Sequence, residues 1–450
     1  MLGELRASTK AKPTAPHGWA PFVVLFLVGL IDRVEHQLMS GALPLIQADW
    51  GFSDTAAGSI TTAGAVASVL VVLPAGYLTD RYPRTRIIGV VVMCWALVTL
   101  GSGLATGFVM FYALRVLLSA AQEIDNPATG SLIADYYPIR TRPKVYGWTR
   151  VTEYLGGFGA VLAGLIGEAF GWRAVFLFMA IPGLLIGLLC WWLREPARGA
   201  LDAKEAEPPS HDAEEAEPPD HDTPSTAPTV RVPLRFGMQL RQVLTTPTLV
   251  LVAVGICLLT LGLQGIFFWM PSMIYRTFDT GAGVAGTVTG TVTISGVLLG
   301  TVFGSWLGHR ADTAFRGGRM AVAGIGVTTG ALILMFALFQ QALPAFAAGL
   351  LVAVMLMSMA IPNNFASIAD VVGAESRGLG FAFPQLLLTI GAAFGPMATG
   401  AVSDYSGSLV TAFLVLTVPM ALAGLPLIAA RWTFGRDAQR VLDNARNKKG

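Results

Sequence analysis

Two otherwise apolar stretches of this chain carry charge: Asp32, Arg33, Glu35 and His36 stand in one, and Arg115, Gln122 and Glu123 in another, while Arg150 and Glu153 stand in a third. Acids and bases held in apolar surroundings bind opposite charge and exchange protons, because each is poorly solvated in its ionised form. On a helix, positions three and four apart share a face, so Asp32, Glu35 and His36 form one polar stripe. Arg115 and Gln122, nearly two turns apart, point the same way, and Glu123 is turned about 80° from Arg115. A carboxylate stripped of water but close to a guanidinium is poised to change protonation when its surroundings change, which is the minimum chemistry of proton coupling. Asp32, with Arg33 or Arg115 as its partner, is the first candidate, followed by Glu123 and Glu153, with His36 as a relay that titrates in a useful range. Arg33, Glu35, Arg115 and Gln122, with Asn363 and Asn364 of the second half, are candidates for holding a substrate. Structural readings stand beside these: a permanent ion pair for Asp32, a hydrogen-bonded packing role for His36, and snorkelling to the headgroups for Arg150 and Glu153.

The elements that must position these groups are membrane helices. The 450 residues are 54% apolar and only 13% charged, with a mean hydropathy of +0.61, which excludes a water-soluble protein of this size. A bilayer core takes about 20 apolar residues per helix. Cutting at polar and turn-forming breaks predicts twelve spans, near 19–42, 54–79, 85–106, 108–136, 145–169, 173–193, 246–275, 281–308, 318–341, 343–370, 377–402 and 408–431. The first is too long for a signal-peptide core and lacks a small-residue cleavage site, so it reads as a retained helix. The fold class is therefore an all-α polytopic membrane protein. It divides into a tail at 1–18, a six-helix unit at 19–194, a linker at 195–240, a second six-helix unit at 241–432 and a basic tail at 433–450. With both termini inside, 25 of the 30 Lys and Arg residues fall on the cytoplasmic side, which predicts a multi-pass protein of the plasma or inner membrane.

Other classes are disfavoured on composition. A net charge of +2 with scattered basic residues argues against nucleic acid as a partner. Cys94, Cys190 and Cys257 lie in apolar runs without ligand spacing, so no disulfide framework, metal or cofactor is expected. No G-x-S-x-G, H-E-x-x-H or P-loop pattern is present, and the chain is not expected to be an enzyme or to be driven directly by ATP. The linker turns abruptly to Glu, Asp, Pro and Ser and nearly repeats itself (EAEPPSHD, then EAEPPDHD), which predicts a disordered cytoplasmic tether in which His211 and His221 are solvated rather than metal-bound.

The two units echo each other. GYLTDRYPRTR follows the second span, carrying Asp80, Arg81 and Arg84, and GSWLGHRADTAFRGGR follows the eighth. IAD ends at Asp135 with Arg142 seven residues on, and IAD ends again at Asp370 with Arg377 seven residues on. Such recurrence is the mark of a duplicated six-helix unit. The first motif, on twelve spans with a long central loop, resembles the major facilitator superfamily. That resemblance implies two pseudo-symmetric six-helix bundles rocking about a midplane site, a functional monomer, and gating roles at the inner face for Asp80, Arg81, Arg84, Asp135, Arg142, Asp370 and Arg377. Helix capping and the positive-inside rule are the alternative reading of those charges.

IDR at 31–33, the run from Arg115 through SLIADYY, and REPARGA at 194–200 look like the Spinster subgroup, associated with lysophospholipids and sphingosine-1-phosphate. The subgroup's pattern has an acid seven residues after the Arg115 position, where this chain has Gln122. The second half buries only uncharged polar groups, among them Asn363 and Asn364, so the cavity is expected to have one ionic and one apolar wall. An amphipathic or lysolipid-like substrate, moved with protons through the bilayer by alternating access, fits such a cavity. An organic-anion symporter using Arg33 and Arg115, a multidrug exporter and a non-transporting receptor are the rival readings.

Overall fold

The computed structural model describes residues 18–198, 236–373 and 376–447. The side chains of Asp80, Arg150 and Arg377 and most of the linker, 199–235, lie outside the described residues. In chain order the helices are α1 (Ala20–Trp50), α2 (Asp54–Arg81), α3 (Arg84–Gly103), α4 (Phe108–Gln122), α5 (Asp125–Tyr136), α6 (Arg142–Leu155), α7 (Phe158–Phe170), α8 (Trp172–Trp192), α9 (Phe236–Leu244), α10 (Pro247–Thr277), α11 (Ala282–Ala314), α12 (Gly318–Ala337), α13 (Leu343–Ser358), α14 (Ala360–Val371), α15 (Arg377–Ser406) and α16 (Leu409–Asn447). Three pairs, α4 with α5, α6 with α7 and α13 with α14, each make one broken rod, so these helices give the twelve expected rods plus the short α9.

The breaks have local causes. Pro127 and Pro362 stand third in α5 and α14, and lack the N–H that would bond to the carbonyls of Glu123 and Ser358, where the preceding segments end. The third break falls at Gly156–Gly157, where a Cβ on Gly157 would lie 2.8 Å from the Gly290 carbonyl oxygen. The glycine run of this rod therefore serves close packing, as its composition predicts. Nine of the described helices are long and apolar enough to cross a bilayer. α1 is long enough but carries Asp32, Arg33 and Glu35, and the remaining two rods are broken and charged.

The two six-helix halves meet at the end of the bundle opposite the termini. Small residues let their backbones touch: Gly157, Ala160 and Gly164 face Gly290, Gly286 and Ala282. Polar contacts seal the same region. Arg276 of α10 donates to both oxygens of Asp54 at the start of α2, at 2.8 and 2.9 Å, and Ser403 of α15 donates to Asp54 at 2.7 Å. Halfway down, the Ser40 hydroxyl of α1 bonds to the Phe268 carbonyl of α10 at 2.8 Å. At the end that carries the termini, Tyr77, Leu78, Arg81 and Tyr82 of α2 and the following turn are exposed. These contacts between the halves lie at mid-depth and at the end opposite the termini, so the bundle is closed at that end.

At both edges of the linker the described residues are packed. Glu195, Pro196 and Arg198 are packed onto the N-terminal half, and 236–244 is a helix docked through Gln242 to Ser376. Glu195 accepts from the Thr85 N–H of α3, and Arg198 donates to the Thr79 carbonyl of α2 and the Tyr82 carbonyl just after it.

Candidate functional site

The polar groups of α1 and α4 converge. Arg115 and Glu35 are almost fully buried, with side chains 4% and 7% exposed, and lie 3.9 Å apart across the two helices. The Arg115 guanidinium also donates to the Ser102 hydroxyl of α3 at 2.8 Å and packs against the rings of Phe111 and Phe176, 5.6 and 5.0 Å from their centroids. Helical periodicity leaves two acids eligible as its partner; the rotation of α1 selects Glu35 rather than Asp32. Asp32 pairs instead with its neighbour Arg33 at 3.7 Å, and this pair is far more open, at 23% and 42% exposure. α1 is packed on α6, α7, α8, α10 and α11, and Asp32 and Arg33 are partly exposed along it. Glu123, at the break of the fourth rod, is within coulombic reach of Asp32, and His36 of both arginines. The site is thus a cluster of Asp32, Arg33, Glu35, His36, Arg115 and Glu123 on the N-terminal half.

Other expected residues fall elsewhere. Gln122 buries its amide nitrogen without a hydrogen-bond partner. Glu153 is exposed on α6. Asn363 does not face the gap: its amide donates to the carbonyls of Gly304 and Met359, at 3.0 and 2.8 Å, pinning α14 to α11. Asn364, next to it, is buried with its side-chain oxygen unpartnered. The C-terminal half presents apolar side chains such as Ile361 and Phe365.

The repeated charges form matching pairs within each half. Arg84, at the start of α3, bonds to Asp135 at the end of α5 at 2.5 Å, and also to Ser131 and Glu195. Arg319, at the start of α12, bonds to Asp370 at the end of α14 at 2.8 Å. Each pair is 51 residues apart in sequence, which makes Arg319 the counterpart of Arg84. Asp312 is a second partner of Arg319. Arg142 donates to the Tyr137 carbonyl and Arg81 to the Tyr77 hydroxyl. Glu195 has no counterpart in the repeated IAD and arginine pattern, and its composition places it with the linker. Burial alone would raise its carboxyl, but the N–H of Thr85 and the Arg84 guanidinium hold it below the ordinary value of 4.5.

A twofold-repeated bundle of twelve membrane-spanning rods with charge clustered at mid-depth defines a membrane transporter. The sequence profile of the Major Facilitator Superfamily matches residues 25–366 and 316–450, and the chain belongs to that family. It is 26% identical over 433 residues to the hexuronate transporter of Bacillus subtilis (strain 168), covering 93% of this chain and 96% of that one. It is 26% identical over 432 residues to the gallate transporter of Pseudomonas putida, covering 93% of each. In fold it is similar to the crystal structure of a bacterial homolog of the human lysosomal transporter Spinster in an inward-facing, unoccupied conformation, with a TM-score of 0.73 at 19% identity, covering 94% of this chain and 97% of that one.

Proposed function

We propose that this transporter moves a small organic anion together with a proton by alternating access. The observation that carries this reading is the Arg33–Asp32 pair, the exposed half of a charge cluster whose other half, Arg115 with Glu35, is buried behind it. Arg33 is already paired with Asp32, whose charge offsets its own and weakens its hold on a second anion. A substrate carboxylate therefore competes with Asp32 for the same guanidinium. Protonation of Asp32 releases Arg33 to the anion, and by reciprocity the bound anion favours the protonated acid, so anion and proton enter as a pair. Arg115 is held by Ser102, the two aromatic rings and Glu35, and serves as the scaffold that fixes α1 against α4. The names of the two full-length relatives, transporters of hexuronate and of gallate, support a carboxylate as cargo.

A lysophospholipid-like amphipathic substrate is the second reading, favoured by the contrast between the charged N-terminal half and the apolar side chains of α14. With the termini placed in the cytoplasm by the positive-inside pattern, the closed end faces outward. The gating reading of Asp80, Arg81, Arg84, Asp135, Arg142, Asp370 and Arg377 then applies to the opposite state, in which the inner end closes.

Uptake into proteoliposomes of labelled galacturonate, gallate and lysophosphatidylethanolamine, with and without a pH gradient, separates the readings. The proposal expects saturable, gradient-driven uptake of a carboxylate that falls at least about tenfold in Arg33→Gln. Movement of the lysolipid alone would replace it with the second reading.

A further inference from the structure

We infer that Glu168 and Asp404 are a matched pair of clasps that hold the end opposite the termini shut. Asp404 lies in the last turn of α15, in the C-terminal half. Its carboxylate accepts from the backbone N–H groups of Asp54 and Thr55, at 3.0 and 2.8 Å, and from the Thr55 hydroxyl at 2.5 Å. These are the first donors of α2, in the other half. Glu168 lies in the last turn of α7, in the N-terminal half, and accepts from the N–H of Gly283 in the first turn of α11 at 2.6 Å. Under the duplication α7 corresponds to α15 and α2 to α11, so the two contacts are the same contact made twice, in opposite directions. The sequence around them repeats too: Glu168 stands three residues before Gly171 and Asp404 three before Gly407, and both glycines end their helices at positive φ, 84° and 70°.

The physical consequence lies in the helix dipoles. A carboxylate in the last turn of its own helix faces the negative end of that dipole, whereas the first turn of another helix offers it free N–H groups and the positive end. Each clasp is therefore favourable only while the halves touch. Parting them strands both carboxylates at the wrong end of their own helices and takes the acceptors from the N–H groups of Asp54, Thr55 and Gly283, while Ser53 still caps Ala56. Asp54, close to Asp404, would oppose this arrangement, but Arg276, Ser403 and Gln47 all donate to it. Opening at this end must break both clasps together. The inference rests on alternating access alone, and no substrate is needed to test it.

The test has two readouts in lipid nanodiscs at fixed pH without substrate. In the first, spin labels on Thr106→Cys, between α3 and α4, and Gln341→Cys, between α12 and α13, report the separation of the halves, with Cys94, Cys190 and Cys257 replaced by Ala. Glu168→Gln and Asp404→Asn are each expected to raise the separated population about fivefold, and the double variant to raise it further. Asp49→Asn, which removes the partner of Arg173 within one half at the same end, is expected to leave the distances unchanged. In the second, hydrogen–deuterium exchange on the chain with its native cysteines follows the amides of Thr55 and Gly283. Either single variant is expected to speed exchange at both, because opening breaks both clasps. Unchanged distances in the double variant, or faster exchange only at the amide whose acceptor was removed, would overturn the inference.

Discussion

Glu35 and Arg115 face each other 3.9 Å apart from different helices, both almost fully buried, with the guanidinium also held by Ser102 and wedged against Phe111 and Phe176. A buried pair of this kind costs most when it is half removed, because the survivor keeps its desolvation penalty and loses its partner.

Arg115→Gln is accordingly expected to destabilise the protein by about 3–5 kcal/mol, seen as a lower unfolding temperature in detergent. Adding Glu35→Gln should recover a good part of that loss, since no buried charge is then left over. A double-mutant cycle measures the coupling, and strictly additive single effects would show that the two groups do not act as a pair.

Asp32 carries the opposite expectation. Asp32→Asn should leave anion exchange between the two sides of a liposome intact while removing the acceleration by a proton gradient, since Arg33 is then permanently available. Gradient-driven uptake that survives Asp32→Asn would move the proton site to Glu35 or Glu123.

Asn363 and Asn364 are adjacent but differently used. Asn363→Ala loses one hydrogen bond from α14 to the Gly304 carbonyl of α11 and one to the Met359 carbonyl just before α14, and is expected to cost about 1–3 kcal/mol with KM for the substrate unchanged. Asn364→Ala, whose side-chain oxygen has no partner to lose, should cost less. Chemical denaturation paired with transport kinetics reads both, and a raised KM in Asn363→Ala would return that residue to the substrate path.

Glu195 sets a pH dependence at the end that carries the termini. Burial opposes its charge, yet Thr85 and Arg84 hold its carboxyl below 4.5, so the folded state binds this proton less readily than the unfolded chain. Its contribution to stability is present above about pH 4.5 and is lost as pH falls below that value, through the lower folded-state pKa. Thermal unfolding between pH 6 and pH 3 should therefore decline less steeply in Glu195→Gln than in wild type, and parallel curves would count against the contact.

Much of the fold was legible before any coordinates. Apolar runs of bilayer length mark the rods, and the spacing of IAD and arginine in both halves marks the duplication. The candidate site was legible in membership more than in pairing: Asp32, Arg33, Glu35, His36, Arg115 and Glu123 do converge, but Arg115 takes Glu35, and Asn363 turns into a helix interface. The structural counterpart of Arg84 is Arg319, identified by its bond to Asp370. Glu168 and Asp404 carried a faint signal, an acid three residues before a helix-ending glycine in each half, which has meaning only once α7 meets α11 and α15 meets α2.

By itself, then, the sequence determined which segments enter the membrane, that the chain is built twice over, and where charge lies at mid-depth, because hydropathy and helical period act within one segment. The tertiary structure decided which acid answers which arginine, which carboxylates cross between the halves and which end is shut. Those outcomes depend on the rotation of each helix and on which backbones the small residues allow to touch. One linear pattern is compatible with a bundle closed at either end, and packing between the halves chooses the end.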